Sequence, residues 1–277
     1  MRLRLDLAYD GTAFRGWAKQ PGLRSVQGDL ETAMDTILRR TGTTVTVAGR
    51  TDAGVHARSQ VVHVDLDEGA LAAVPGRGDA TPTDALRRRL NGVLQPDLRV
   101  HRVLVAAPGF DARFSAIWRR YAYRIIDDPA LVDPLRRSHV VTWSWPLDMD
   151  AMNEAARTLV GLHDFASFCR RREGATTIRT LLDLGWRRED GILVAEVRAD
   201  AFCHSMVRSL VGCMAAIGEG RRQPAWAVEV MTGRERPPDL RVAPARGLTL
   251  EEVGYPADEA LAEQAALSRA RRTLDED

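Results

Sequence analysis

Between Ala48 and Leu66 the chain reads AGRTDAGVHARSQVVHVDL. Arg50, Asp52, His56 and Arg58 fall within nine residues, with Gly49 just before them and Gly54 among them. The second half of the stretch alternates apolar and polar residues, as a half-buried strand does. An aspartate in a turn most often caps a helix or closes an Asx turn. Two features point beyond that. Arg50 and Arg58 can both approach Asp52, which favours its ionised form, and Gly54 lets a ligand come close to the backbone. A carboxylate kept ionised on a loop by arginine is an available nucleophile or base.

Other constellations offer less. His56 and His63 are seven apart, and His63 lies between Val62 and Val64, on the opposite face of the strand. His163, Asp164, Cys203 and His204 add no spacing typical of a metal site, so no metal is expected. Ser205 and Ser209 lack an elbow motif. The glycines at 11, 16 and 22 form no phosphate-binding fingerprint. The stretch ARFSAIWRRYAYRI (112–125) interleaves Arg113, Arg119, Arg120 and Arg124 with Phe114, Trp118, Tyr121 and Tyr123. It reads either as a core strand with snorkelling arginines or as a platform that stacks a base beside phosphate contacts. Arg208 sits among apolar neighbours at 206, 207, 210 and 211, where a charge needs a partner. Asp52 is a candidate for that role.

These residues need elements to hold them. Leu3, Leu5, Leu7 and Tyr9 alternate with polar residues and predict a first strand over 2–9, not a signal peptide. Ser25 can cap a helix with apolar positions Val26, Leu30, Ala33, Met34, Ile37 and Leu38. Thr44–Ala48 and Gln60–Leu66 read as strands flanking the loop, 69–82 as a linker or loop, Thr83–Leu94 as a helix and Leu98–Ala106 as a strand. Further on, strands are predicted at Arg119–Ile126, Ile178–Arg187 and Ile192–Ala199. Helices are predicted at 148–160, Phe202–Ile217, from Pro224 to Met231 and, amphipathic or frayed, at 257–273. The pattern predicts an α+β protein of two similar α/β halves with mostly antiparallel sheets.

The 277 residues are 45% hydrophobic and 28% charged, a globular composition large enough for one or two cores. No run of about 18 apolar residues exists, so no membrane span is expected. Three scattered cysteines (Cys169, Cys203, Cys213) argue against a disulfide framework; they read as reduced, buried small hydrophobes of a cytosolic protein. The net charge of +1 conceals an asymmetry. Residues 1–250 carry 36 Lys/Arg against 30 Asp/Glu, and residues 251–277 carry 3 against 8. All the cations but Lys19 are arginine, the side chain that binds phosphate in a fork and stacks on bases.

The pieces YDGTAFRGW (9–17), SVQGDLE (25–31), GRTDAGVHARSQVVH (49–63), FDARFSAIWRRYAYRI (110–125), GLHDFASF (161–168), FCHSMVRSLVG (202–212) and APARGLTLEEVGYP (243–256) resemble, in that order, the TruA family of bacterial tRNA pseudouridine synthases. The resemblance implies the pseudouridine synthase fold, with an N-terminal half at 1–107, a C-terminal half at 108–256, an active-site cleft between them and an acidic tail at 257–277 outside it. It makes Asp52 the catalytic aspartate, Arg50 and Arg208 the arginines that hold it, and Tyr121 the tyrosine that stacks on the target base. Arg58 and His56, on the same loop, join them as substrate-binding candidates. Ala18 stands where the family usually has Gln, and Thr249 where it often has an aromatic residue.

The implied activity converts uridine to pseudouridine at positions 38–40 of the tRNA anticodon stem-loop, by a cytoplasmic homodimer. Neither redox change nor net hydrolysis occurs, so no cofactor is expected. Arg15 and Arg87–Arg89 are candidate phosphate contacts. A non-catalytic RNA-binding paralogue would keep the basic surface without needing Asp52, Tyr121 and Arg208. A glycosidase or nucleosidase would want a second acid near Asp52, and the motif has none.

Overall fold

The computed structural model describes residues 1–75, 79–170 and 176–269. In chain order the strands are β1 (Arg2–Tyr9), β2 (Thr46–Val47), β3 (His56–Asp65), β4 (Leu98–Val105), β5 (Trp118–Ile126), β6 (Val141–Thr142), β7 (Gly161–Asp164), β8 (Ile178–Glu189), β9 (Ile192–Ala199) and β10 (Leu248–Gly254). The helices are α1 (Val26–Leu38), α2 (Glu68–Ala72), α3 (Pro82–Val93), α4 (Met149–Arg157), α5 (Met206–Gly218), α6 (Trp226–Thr232) and α7 (Leu261–Leu267). The fold is mixed α/β with mostly antiparallel pairing, as the sequence predicts. Two compact units form, one from Met1–Ile117 with the described residues from Leu250 onward, the other from Trp118–Thr249.

In the first unit the strand order is β4-β1-β3-β10, with β2 on β3. Leu3, Leu5 and Leu7 on β1 are fully buried, each contributing roughly 2 kcal/mol through burial. Leu5 lies between Val62 of β3 and Val103 of β4. Helix α1 starts where Ser25 accepts the Gly28 N–H. Helix α3 starts one residue earlier than its apolar pattern suggests, because Thr81 caps it and Pro82 takes the first turn, where no N–H is missed. The linker read at 69–82 holds a short helix instead, α2; residues 76–78 of that stretch lie outside the described residues.

His63 is buried on β3, and its Nδ1 accepts the Ala112 N–H at 2.9 Å. Burial first, then the Arg2 charge, lowers its pKa below the ordinary value. The folded state keeps this ring neutral while the unfolded chain takes up a proton below about pH 6.5. The stability it contributes is therefore complete above that pH and lost as the pH falls towards the lowered folded value. The melting midpoint should be lower at pH 5.5 than at pH 7.5, and His63→Gln should make that difference smaller. An unchanged difference in the variant would remove His63 as its source.

In the second unit the order is β5-β9-β8-β7, all antiparallel, with β6 lying parallel along the end of β5. Helices α4 and α5 pack together, and α4 lies on β8. Tyr123 and Ile125 on β5 are fully buried, as are Leu193, Val197, Leu210, Val211 and Met214. The alternate residues Ala122 and Ile126 close a smaller cluster with Val140, Ile192 and Val194.

Three expectations need correction. Helix α5 starts at Met206, not Phe202, because Ser205 adopts a left-handed conformation (φ 64°) and the Met206 N–H closes a turn onto the Cys203 carbonyl. The C-terminal helix is limited to α7 among the described residues, with residues 270–277 of the tail outside them. The cysteines are not three separate thiols. Cys169 and Cys203 are joined as a disulfide with Cα atoms 5.7 Å apart, a separation disulfides use. The Arg170 N–H donates to the His204 carbonyl beside them, so the two segments are neighbours by main-chain pairing, which residue spacing does not announce. Only Cys213 follows the expectation: it is free and buried, and burial pushes its thiol up to about 12.

Candidate active site

The Asp52 loop leaves the β2 hairpin where the Ala48 N–H donates to the Val61 carbonyl, and it re-enters the sheet at His56 on β3. Asp52 is half-buried, and its carbonyl accepts the Val55 N–H at 3.2 Å, closing a turn through Gly54 (φ +78°). The segment 11–17 clamps the loop from outside. The Trp17 N–H donates to the Thr51 carbonyl at 3.0 Å, and the Gly54 N–H to the Phe14 carbonyl at 3.4 Å. This approach requires glycine. A Cβ on Gly16 (φ +94°) would stand 3.0 Å from the Thr51 oxygen, and one on Gly11 would stand 2.0 Å from the Val55 oxygen.

His56 closes the lower end of the loop. It is buried, and its Nδ1 accepts the Gly11 N–H at 3.0 Å, with an Asp10 carboxylate oxygen 3.1 Å from the same nitrogen. Arg50 is exposed beside Asp52. Arg58 is also exposed and directs its Nε to Glu251 of β10 at 2.9 Å. Sequence reasoning did not anticipate that pairing, because the partners are 193 residues apart.

The second unit carries Tyr121 and Arg208. Tyr121 is 7% exposed on β5, and Phe202 meets its ring edge-on with centroids 5.0 Å apart. Tyr123, two residues on, donates its hydroxyl proton to the Pro244 carbonyl at 2.9 Å; burial raises its pKa. Arg208 is half-buried on α5. It exchanges two hydrogen bonds with Ala243: its Nε donates to the Ala243 carbonyl at 2.7 Å and its carbonyl accepts the Ala243 N–H at 3.0 Å. Gly212, one turn later, lies so close to the Arg241 carbonyl that a Cβ there would be 1.7 Å from its oxygen. A further arginine was missed by sequence reasoning. Arg236 reaches the carbonyls of Ser167 and Phe168 and the Ser209 hydroxyl, tying the 166–168 turn to α5.

Two aromatic rings of the 112–125 stretch carry arginines stacked within the protein. Arg113 and Arg269 both lie over Phe114, and Arg198 lies over Trp118. Thr249 is buried and faces Arg124 at 3.4 Å. Arg15, Arg88 and Arg89 are exposed, and Arg87 pairs with Asp84 on α3. Among the described residues, no group of three or more His, Cys, Asp or Glu is placed to hold a metal ion, and no helix is long and apolar enough to cross a membrane.

A loop in the first unit that presents one half-buried carboxylate, and a buried tyrosine on β5 of the second, are parts suited to a carboxylate-dependent reaction on an aromatic base. Comparison with known proteins gives the class. A family profile described as tRNA pseudouridine synthase matches residues 155–256. The chain is 56% identical over 278 residues to the tRNA pseudouridine synthase A of Streptomyces avermitilis, covering 99% of this chain and 95% of that one. It is 56% identical over 273 residues to that of Frankia casuarinae (98% and 96%) and 48% identical over 276 residues to that of Mycobacterium leprae (99% and 96%). The chain belongs to the tRNA pseudouridine synthase A family.

Proposed function

We propose that this protein isomerises uridine to pseudouridine at positions 38–40 of the tRNA anticodon stem-loop, with Asp52 as the reacting carboxylate. The isomerase activity on tRNA follows from family membership; the positions and the residue roles are our reading. The observation that supports the site is the Asp52 loop. Its backbone is fixed by Trp17, Phe14 and β3 while the carboxylate stays half-exposed, which is how a reactive group is held without being buried from its substrate.

The C1′–N1 bond of the uridine breaks, the uracil turns, and a C1′–C5 bond forms. Atoms balance without a cofactor, and none is proposed. Asp52 acts at the sugar, either on C1′ as a nucleophile or by removing a sugar proton; both routes need one ionised carboxylate. Arg50 and Arg208 keep it ionised. Lifting the base from the stack costs a few kcal/mol, which stacking on Tyr121 offsets. Arg58 receives the RNA at the rim, with His56 beneath the loop as the remaining substrate-side residue. We take the two compact units, Met1–Ile117 with the described residues from Leu250 onward and Trp118–Thr249, as the two halves of the synthase fold, in place of the bounds 1–107, 108–256 and 257–277. The protein acts in the cytoplasm as a homodimer, one tRNA spanning both copies. Tolerance of several tRNA sequences fits recognition by shape and backbone, to which Arg15 and Arg87–Arg89 contribute.

The test is an unmodified tRNA transcript with uridines at 38, 39 and 40, incubated with the protein alone and mapped for pseudouridine. Conversion is expected at one or more of these positions and nowhere else. Tight binding without conversion would replace this reading with the RNA-binding paralogue.

A further inference from the structure

Behind the Asp52 loop lies a buried chain of neutral hydrogen bonds that the reaction as described does not use. Gln60, on β3, is 0% exposed. Its Nε2 donates one proton to the Gly49 carbonyl at 2.8 Å and the other to the Tyr9 hydroxyl oxygen at 3.2 Å, while its Oε1 accepts the Val61 N–H at 3.2 Å. All three amide positions are thereby used, and the two N–H contacts to oxygen fix which way the amide faces. The Tyr9 hydroxyl, at the end of β1, then meets the Thr51 hydroxyl at 2.8 Å. Tyr9 is 4% exposed and burial pushes its pKa up to about 12, so it stays a neutral donor across the working pH range.

The two ends of this chain fall at Gly49 and Thr51, on either side of Arg50, and Thr51 precedes Asp52. We propose that Gln60 and Tyr9 are positioning residues for the reaction: they set the backbone that aims Asp52, without touching substrate. This rests on Asp52 being the reacting carboxylate. Two arguments favour positioning over plain core packing. A strand interior filled with an apolar side chain would be as stable or more so, since a buried polar network gains little net stability. What the amide adds is direction, because it pins two loop residues on opposite sides of one arginine. The main-chain clamp from Trp17 holds the Thr51 carbonyl, whereas the Tyr9 contact holds the Thr51 side chain, so the residue is fixed at two points.

The experiment measures kcat and KM on one tRNA transcript, with melting midpoints, for wild type, Tyr9→Phe, Thr51→Val, Thr51→Ser, Gln60→Leu and the Tyr9→Phe/Gln60→Leu pair, alongside Asp52→Asn. Each deletion of a network group is expected to lower kcat about tenfold, what one misdirected hydrogen bond is worth in rate, and to leave KM within about twofold. Thr51→Ser keeps the hydroxyl and is expected to restore kcat. The double variant is expected to cost about as much as Gln60→Leu alone, because both break one chain. If Gln60→Leu does not fold, Tyr9→Phe and Thr51→Val carry the test, each leaving the side-chain shape almost unchanged. Wild-type kcat in those two variants overturns the proposal, as does a rise in KM with kcat unchanged, or equal losses in Thr51→Val and Thr51→Ser. An active Asp52→Asn would instead overturn the underlying assignment, so the two failures are distinguishable.

Discussion

Asp52→Asn is expected to bind tRNA within about twofold of the wild type and to lower pseudouridine formation by at least about 10³-fold, the scale on which essential acid, base or nucleophile roles are lost. The substitution keeps the size of the side chain and removes only its charge. The hydrogen bonds described for the loop are made by its main chain at Gly49, Thr51, Asp52 and Gly54 and by the Thr51 hydroxyl. None of these changes with the side chain of residue 52, so the loop should keep its place. Binding persists because affinity for the polymer comes from many phosphate contacts spread over the basic body, whereas one carboxylate acts only at the reacting sugar. Single-turnover conversion at saturating protein, with filter binding of the same transcript, measures the two quantities separately. Retained conversion would make Asp52 a turn residue of the ordinary kind. Joint loss of binding and conversion would mean that the loop, not the carboxylate, is what the RNA requires.

What could be read from the sequence was what neighbouring residues decide. The alternation of Leu3, Leu5 and Leu7 belongs to a strand buried on one face, and Ser25 does cap α1. Asp52 stood out because turn residues and guanidiniums surround it within a few positions. What stayed hidden depends on partners far along the chain. The segment LTLEEVG becomes β10 through its place beside β3, and the four-residue β7 exists through pairing with β8; β7 is too short to show a period of its own, and β10 is buried along nearly its whole length, so no alternation marks it. The start of α5 was misplaced for the opposite reason. Phe202 and Met206 are one helical turn apart and imitate a continuous stripe, while the left-handed Ser205 between them ends the pattern. Gln60 gave no signal because a polar residue in an alternating strand reads as solvent-facing, and only the approach of Gly49 and Tyr9 reverses that. The glycines follow the same logic: their spacing matched no phosphate motif, and the structure uses Gly11, Gly16 and Gly212 as places where one backbone lies against another.

That use of glycine gives the second large effect, Gly212→Ala. Alanine is ordinarily the better helix residue by about 1 kcal/mol, so the substitution would be stabilising if α5 stood alone. At this position the added Cβ would be 1.7 Å from the Arg241 carbonyl oxygen, and the obstacle is main chain, which has no rotamer to change. The 241–243 segment must move away from the helix. Its movement breaks both hydrogen bonds between Arg208 and Ala243, the contacts that hold the side chain proposed to face the reacting carboxylate. Overpacking of this kind costs about 3 kcal/mol or more, and a catalytic group displaced by about 1 Å costs on the order of 10²-fold in rate. The expected result is therefore a lower melting midpoint together with a loss of kcat larger than the fraction of unfolded protein explains. Gly92→Ala supplies the contrast. Gly92 lies on α3 with nothing within 4 Å of an added Cβ, and there the same substitution is expected to stabilise by about 0.5–1 kcal/mol and leave activity unchanged. Equal effects of the two substitutions, read by thermal melting and by pseudouridine formation, would show that the approach of Arg241 to α5 is not what sets Arg208.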